Sequence, residues 1–212
     1  MFNRNDIKQA ADILKNGGVV VYPTETVYGI GCDPLNADAC ERVHHIKKRN
    51  HVKPMLLLSY SLGQVEEISG PLSEIPLKLA KKFWPGPLTM IIKPQTLLFK
   101  EKKKIFKHIT GFSEELDTTN SVAFRVTSHP VAASLIKEFG YPIISTSANI
   151  TGQSPLITYE KAFSIFGNIV DIVIGTDEQL TGKPSTVVDL TSDSLLMVRE
   201  GSITLSQLQE AL

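Results

Sequence analysis

The sequence lacks the features of metal-binding, disulfide-rich and membrane proteins. Cysteine occurs only twice, at Cys32 and Cys40, with neither C-x-x-C spacing nor a Cys/His ligand set around them. We therefore expect two reduced cysteines and no metal site. The first residues, MFNRNDIKQ, lack the cationic start and apolar run of a signal peptide, and no apolar run approaches the length that spans a bilayer. These absences predict a cytoplasmic protein without a membrane partner.

The chain also lacks an excess of either charge. Lys and Arg number 22, as do Asp and Glu, so any affinity for nucleic acid or phosphate must come from local clustering. Hydrophobic residues make up 42% and charged residues 21% of the 212 residues, which is typical of a globular protein and not of a disordered one. No repeat or low-complexity linker interrupts the chain. We therefore expect one domain over residues 1–212.

The familiar glycine-rich nucleotide loops are missing as well. The segment from Gly175 to Lys183 has its glycines too far apart for a Walker A loop, and Pro184 follows the lysine where Ser or Thr is needed. Gly29 and Gly31 lack the third glycine of a dinucleotide fingerprint. A bound nucleotide would have to be held in some other way.

Helix-like and strand-like segments alternate along the chain, and some neighbouring strands have no helix between them. This pattern predicts an α/β domain with a twisted sheet of mixed parallel and antiparallel strands, flanked by helices. Helices are predicted over about 6–16, 36–48, 62–68, 74–83, 131–139 and 158–166, and from Thr204. Strands are predicted over 19–22, 55–58, 88–92, 122–126, 142–146, 170–174, 186–190 and 195–199.

The stretch 17–49 carries the clearest functional signal. Its strand, 19–22, is predicted to end at Pro23, which lacks an N–H, and to lead into a loop of hydroxyls, a carboxylate and glycines that runs to Gly31. The helix from Asn36 ends in Lys47-Lys48-Arg49, where cations suit a helix C-terminus and could also reach phosphates. One βα unit thus predicts a nucleotide or acyl-phosphate site.

Small hydroxyls also lie next to three predicted strand ends, at Pro23–Thr26, Ser145–Ser147 and Pro184–Thr186. Each is by itself more typical of a turn or a helix cap, but open α/β sheets bind ligands at such ends. Arg125 is a stronger signal, because an arginine inside the apolar strand SVAFRV needs an anionic partner. A structural salt bridge and a ligand carboxylate both fit.

The segment 97–120 is the least regular part of the chain. It contains a basic run that indicates a solvated hairpin or loop more than an RNA-contacting patch. The lysines of this run are Lys100, Lys102, Lys103, Lys104 and Lys107.

Several motifs, in a fixed order, indicate a family. PTETVYG, K-x-R at 47–49, WPGPLT, SVAFR, HP, STSAN, PST and REG cover most of the chain. Together they resemble the YrdC/TsaC family, the threonylcarbamoyl-AMP synthases, in its short single-domain YrdC-like form. The resemblance implies a nucleotidyltransferase that joins L-threonine, bicarbonate or CO2, and ATP into threonylcarbamoyl-AMP and pyrophosphate, for threonylcarbamoyladenosine in tRNA.

Carried over to this sequence, the resemblance also implies site residues. The residues implied to contact L-threonine are Thr26, Arg125, Ser145 and Ser185. The residues implied to surround ATP are Lys47, Arg49, Lys53, Ser121, Ser147, Pro155 and Arg199. Lys47 and Arg49 would act as the catalytic cations, and replacing Arg49 by alanine should lower the rate several tens-fold or more. Mg2+ is expected with ATP and held largely by its phosphates, while Glu25, the one nearby carboxylate, is interpreted as a loop brace.

Two departures from the family pattern and two rival functions accompany this interpretation. Many members have asparagine where Lys53 stands and histidine near the position of Leu58.

The first rival is an RNA-binding or regulatory YrdC-like module without synthase activity. The second is a carbamoyl-adenylate synthase for another amine, although the carbamoyltransferases with such domains are normally much longer. The implied partners are tRNA, by possible contact, and the tRNA threonylcarbamoyltransferase machinery that receives the product.

Overall fold

The computed structural model describes residues 4–48, 55–95, 121–192 and 194–212. The strands of this part are β1 (Val19–Pro23), β2 (Tyr28–Cys32), β3 (Leu56–Ser59), β4 (Leu88–Ile92), β5 (Val122–Val126), β6 (Ile143–Ser147), β7 (Ile172–Val173), β8 (Thr186–Asp189) and β9 (Leu196–Arg199). The helices are α1 (Arg4–Lys15), α2 (Ala37–Lys47), α3 (Leu62–Ser69), α4 (Glu74–Phe83), α5 (Pro130–Phe139), α6 (Tyr159–Phe166) and α7 (Leu205–Gln209).

The described strands form one sheet in the order β7-β1-β2-β6-β3-β5-β4-β8-β9. Three neighbouring pairs are parallel, namely β1 with β7, β3 with β5 and β4 with β8. The other pairs are antiparallel. Because both kinds of pairing occur in one sheet with helices around it, the predicted α/β fold class is confirmed.

Local sequence explains where several helices begin. Asn36 precedes α2 and accepts a hydrogen bond from the Ala39 N–H at 3.0 Å, which satisfies one of the free donors of the first turn. Thr204 and Gln207 form a reciprocal capping box at the start of α7. Predicted and observed bounds agree closely for most elements, whereas β7 has only two residues of the predicted strand 170–174.

Side-chain alternation divides the sheet between two cores. In β1, Val19 and Val21 face the larger core, while Val20 and Tyr22 face a smaller one that includes the buried sides of α1 and α5. The larger core covers one face of the sheet, with α2, α3, α4 and α6 contributing to it. The smaller core covers only part of the other face. The remainder of that face is open, and the candidate site lies there.

The prediction for residues 23–31 is wrong in one respect. Tyr28–Cys32 is not a loop but β2, which pairs with β1 in a hairpin whose register places Tyr22 opposite Gly29 and Pro23 opposite Tyr28. The turn is short because the Thr24 hydroxyl donates to the Val27 carbonyl at 2.6 Å and closes it. Proline is tolerated at this strand end, next to the turn.

The structure also bears on the cysteines and on membrane-spanning helices. Cys32 and Cys40 are buried free thiols with their sulfur atoms 3.9 Å apart, so the prediction of reduced cysteines is confirmed. Among the described helices, none combines the length and apolarity needed to cross a bilayer. The basic run predicted within 97–120 lies outside the described residues.

Candidate functional site

A cleft of about 550 Å³ lies on the open part of the sheet face, within the usual size range of small-molecule sites. It is bounded by the 24–29 hairpin, strands β4, β5, β6 and β8, and the edge strand β9. In these strands the neighbours of the lining residues, such as Phe124 and Ile144, point into the larger core. The cations that line the cleft are Lys47, Arg125 and Arg199, and no described carboxylate lines it. The cleft is therefore suited to an anionic ligand.

Most of the residues predicted for the site line this one cleft, although they come from distant parts of the sequence. The four predicted for L-threonine, Thr26, Arg125, Ser145 and Ser185, all line it. Four of those predicted for ATP, namely Lys47, Ser147, Pro155 and Arg199, do so too.

The remaining predicted ATP residues do not line the described cleft. Ser121 is half-buried just before β5 and is absent from the lining. Arg49 and Lys53 lie outside the described residues. Leu58 is fully buried in the smaller core and does not line the cleft, whereas Leu56 in the same strand does.

Arg125 forms the structural salt bridge that its position in an apolar strand predicts, and it keeps donors for a ligand carboxylate. Its side chain is 7% exposed and pairs with Glu25, with 2.7 Å between Nη2 and Oε1 and 3.3 Å between Nε and Oε1. Nη2 also donates to the Thr26 hydroxyl at 3.1 Å. A guanidinium has five N–H donors, and those on Nη1 have no partner among residues 4–48, 55–95, 121–192 and 194–212. The salt bridge thus leaves donors for a ligand.

Glu25 holds Arg125 from behind the cleft lining. Its second oxygen, Oε2, accepts a hydrogen bond from the Thr127 hydroxyl at 2.7 Å. Both carboxylate oxygens are therefore engaged by described protein groups, and Glu25 itself does not line the cleft. This arrangement agrees with its interpretation as a brace, and it neutralises a buried cation that would otherwise be costly.

A second cluster of polar groups surrounds Ser185 at the other wall. Arg199 donates from Nε and Nη2 to the Ser185 carbonyl at 3.1 and 2.8 Å, and from Nη2 to the Ser185 hydroxyl at 3.1 Å. That hydroxyl also lies 3.0 Å from the Thr89 hydroxyl. Desolvation and the nearby Arg125 cation lower the pKa of Arg199. Two guanidiniums that repel each other across a cleft favour an anion between them.

Lys47 is buried and its ammonium binds the turn after β6. Nζ donates to the carbonyls of Ser147 and Asn149, the latter at 2.8 Å, and lies 3.3 Å from Asn149 Oδ1. In return, Thr151 donates from its N–H and its hydroxyl to the Lys47 carbonyl at 3.1 and 2.9 Å. An ammonium has three donors, and each has a protein acceptor here. Lys47 therefore adds one of the three positive charges that line the cleft and holds the 147–151 turn in place.

Sequence reasoning did not single out some residues that build the cleft. Thr89 is the one hydroxyl in the apolar strand LTMII, and this signal was available. Asn149 lies within the STSAN motif, but its pairing with Lys47 depends on a fold that brings together residues about 100 positions apart. No group of three or more potential metal ligands of the His, Cys, Asp or Glu type occurs in the described part of the chain.

The fold and the cleft define a class of α/β protein with a cation-lined pocket on the open face of a mixed sheet. The sequence model of the family described as "Telomere recombination" (Sua5/YciO/YrdC) matches residues 12–201. The chain belongs to the Sua5/YciO/YrdC family, as the resemblance to its YrdC branch implied.

Curated relatives carry the name threonylcarbamoyl-AMP synthase. One, from Bacillus subtilis, is 36% identical over 210 residues, which make up 98% of this chain and 56% of the relative. Another, from Coxiella burnetii (Nine Mile phase I), is 36% identical over 192 residues, or 90% of this chain and 95% of the relative. The chain thus spans about half of some relatives and nearly all of others.

Solved structures show the same fold. Sua5 from P. abyssi, complexed with L-threonine, superposes with a TM-score of 0.84 at 30% identity over 97% of this chain and 57% of that protein. YciO from E. coli superposes with a TM-score of 0.81 at 28% identity over 97% of this chain and 94% of that protein.

Proposed function

We propose that this protein is a threonylcarbamoyl-AMP synthase that uses L-threonine, bicarbonate or CO2, and ATP. The observation that carries the proposal is the meeting, in one cleft without described carboxylates, of Arg125 and the hydroxyls of Thr26, Ser145 and Ser185. The shared name of the curated relatives and the L-threonine complex of P. abyssi Sua5 support the same conclusion.

The amino acid would bind at the part of the cleft that Arg125 lines. The Nη1 donors of Arg125, which no group in the described part of the chain engages, suit a carboxylate, since guanidinium and carboxylate form short charge-assisted hydrogen bonds. Thr26 lies against the same guanidinium, and Ser185 lies against Arg199, so both hydroxyls are held in place beside a cation. The amino acid would thereby be oriented at both of its polar ends.

The nucleotide fits the side of the cleft formed by Ser147, Pro155, Arg199 and the turn that Lys47 holds. Arg49 and Lys53, which follow α2 in sequence, would add positive charge toward the phosphates. Because no described carboxylate lines the cleft, Mg2+ would arrive with ATP and be held by its phosphates. It would offset part of their negative charge when bound.

The reaction requires two bonds to form in order. The uncharged amine of threonine adds to the carbon of CO2 and loses a proton to water, which gives a carbamate; from bicarbonate, hydroxide also leaves and takes up that proton as water. A carbamate oxygen then attacks the α-phosphorus of ATP, and the bond from that phosphorus to the bridging oxygen breaks and releases pyrophosphate. Carbamates are labile in water, so the protein would act by holding the reactants together, by excluding water and by stabilising charge with Arg199 and Arg49. No covalent enzyme intermediate is needed.

The product would then serve threonylcarbamoyladenosine synthesis in tRNA. We place the protein in the cytoplasm, where it would pass threonylcarbamoyl-AMP to the tRNA threonylcarbamoyltransferase machinery. Direct contact with tRNA would use positive charge near the cleft, because the chain has no net charge.

The decisive experiment is mass-spectrometric detection of threonylcarbamoyl-AMP from the purified protein with L-threonine, bicarbonate and MgATP. Pyrophosphate release should require threonine and bicarbonate together, and Arg125→Lys should raise the KM for threonine more than that for ATP. Omission of each substrate in turn serves as the control. Pyrophosphate release at the same rate with and without threonine would contradict the proposal. RNA binding without formation of threonylcarbamoyl-AMP would favour the regulatory module.

A further inference from the structure

Tyr22 occupies an unusual place between the hairpin and the cleft. It lies in β1, is fully buried, and its ring crosses the neighbouring strand β2 on the face of the smaller core. A Cβ added to Gly29 would lie only 3.1–3.3 Å from ring atoms and the hydroxyl of Tyr22. One on Gly31 would lie 3.1–3.2 Å from Tyr22 and only 2.2 Å from the Ile144 carbonyl oxygen. The two glycines in β2 thus leave the space that the tyrosine ring fills.

The Tyr22 hydroxyl reaches the strand beyond β2. It donates a hydrogen bond of 2.7 Å to the hydroxyl of Ser145 in β6, which pairs directly with Gly31. Ser145 lines the cleft, whereas Tyr22 does not. The side chain of Tyr22 therefore connects β1 with a residue at the cleft wall, across a strand that has no side chains in the way.

This contact determines whether the Ser145 hydroxyl donates or accepts a hydrogen bond in the cleft. The phenol of Tyr22 is the donor in this hydrogen bond, and burial raises its pKa, so it keeps the proton that it donates. A serine hydroxyl has one proton to donate and two lone pairs to accept with. Once Ser145 accepts from Tyr22, its own proton is free to be donated, and the described residues offer no other hydrogen-bond partner to its Oγ.

We propose that Tyr22 is a positioning residue that holds the Ser145 hydroxyl as a donor toward an oxygen of the bound amino acid. The inference rests on the proposed function for the identity of that amino acid. It also explains the glycine at position 29, since a side chain there would push the ring of Tyr22 away from Ser145, whereas Gly31 is already required by the backbone carbonyl of Ile144. A purely space-filling tyrosine would not need its hydroxyl.

The test is a double-mutant cycle with Tyr22→Phe, Ser145→Ala and the double variant, measured as KM for L-threonine and for ATP. Tyr22→Phe keeps the ring and should raise the threonine KM about 2- to 12-fold, as expected for one neutral hydrogen bond, with the ATP KM unchanged. Because Tyr22 acts through Ser145, the double variant should be no worse than Ser145→Ala alone. Tyr141→Phe, outside the cleft lining, is the matched control and should leave both values unchanged.

Three results would overturn the inference. They are an unchanged threonine KM in Tyr22→Phe, additive effects in the double variant, and an unchanged threonine KM in Ser145→Ala. An unchanged threonine KM in Ser145→Ala would refute the inference even if Tyr22→Phe fails to fold. Circular dichroism and thermal melting would reveal such a folding failure.

Calorimetric titration of L-threonine separates this inference from the proposed function. Weaker threonine binding by Tyr22→Phe than by the wild type supports the inference even if the wild type makes no threonylcarbamoyl-AMP, a result that would refute only the proposed function. Synthesis by the wild type with equal threonine affinity in both proteins would refute only the inference. Absence of threonine binding by the wild type would refute both.

Discussion

Arg125 and Glu25 lie 100 positions apart in the sequence and form an ion pair of 2.7 Å beneath the cleft. Their side chains are only 7% and 15% exposed, so each charge depends on the other for compensation. The pair joins the hairpin turn to β5 at the point where we expect the carboxylate of the substrate. The binding site and the stability of the fold share this contact.

Replacing Glu25 by alanine should therefore affect both stability and binding. Removal of one partner from a buried ion pair costs about 3–5 kcal/mol, and urea denaturation should show a loss of this order. The threonine KM should rise as well, because Arg125 loses the carboxylate that fixes the orientation of its guanidinium. Glu25→Gln, which keeps one acceptor oxygen, should have a smaller effect on both measurements.

Glu74→Ala provides the comparison for this prediction. Glu74 and Lys78 form an exposed pair at 2.9 Å within α4, where solvent screens the attraction and its loss should hardly change the free energy of unfolding. If Glu25→Ala were no more destabilising than Glu74→Ala, the buried pair would not have the role described.

Lys47 should prove important for the shape of the cleft. Lys47→Met removes the donors that bind the carbonyls of Ser147 and Asn149, and each buried acceptor left without a partner costs about 1–3 kcal/mol. We expect reduced stability in urea and a higher KM for ATP. Lys137→Met, an exposed lysine in α5, should change neither quantity. A variant at Lys47 with lower kcat but normal stability would instead favour a direct role on the phosphates.

His129 should make the protein less stable in mild acid. Its Nδ1 accepts a hydrogen bond from the Val131 N–H at 3.2 Å, which caps α5, so the neutral ring carries its proton on Nε2, 3.4 Å from Glu178. Burial lowers the pKa of His129, although Glu178 and Glu25 act in the opposite direction. The unfolded chain thus binds the proton more readily, and the free energy of unfolding should fall as the pH drops below about 6.5.

The measurement is urea denaturation at pH 7.5 and 5.5 for the wild type and His129→Asn. Asparagine is a good helix cap and does not titrate, so the difference between the two pH values should shrink in this variant. His45→Asn, at an exposed position in α2, should keep the difference seen in the wild type. Equal pH dependence in His129→Asn and the wild type would rule out this role.

The two cysteines should be inert in the native protein. Cys32 and Cys40 are fully buried, and their mutual hydrogen bond together with burial raises the pKa of the Cys32 thiol, which lowers its reactive thiolate fraction. Ellman's reagent should react slowly with the folded protein and should titrate two thiols per chain in denaturant. Fast labelling without denaturant would show that the β2–α2 contact opens.

The sequence allowed most elements to be predicted, because helix periodicity, caps and apolar runs are local signals. Eight of the eleven residues that the family motifs implied for the site line the cleft, and their meeting there could be expected from hydroxyls at strand ends. Three features could not be predicted. These are the pairing of Gly29 and Gly31 into a strand, the crossing of Tyr22 to Ser145, and the binding of Lys47 to Asn149. Each depends on contacts between segments that only the complete sheet brings together.

The strand order determines whether fragments of this chain could retain the binding cleft. The walls of the cleft come from the beginning, middle and end of the chain, and β6 inserts between β2 and β3 although it follows both by many residues. Within the described residues the lining runs from Thr24 to Arg199, so a shorter contiguous fragment would lack part of the pocket. Ligand affinity therefore reports on the integrity of the entire sheet, and saturating substrate should protect distant edges of the molecule from heat and proteases.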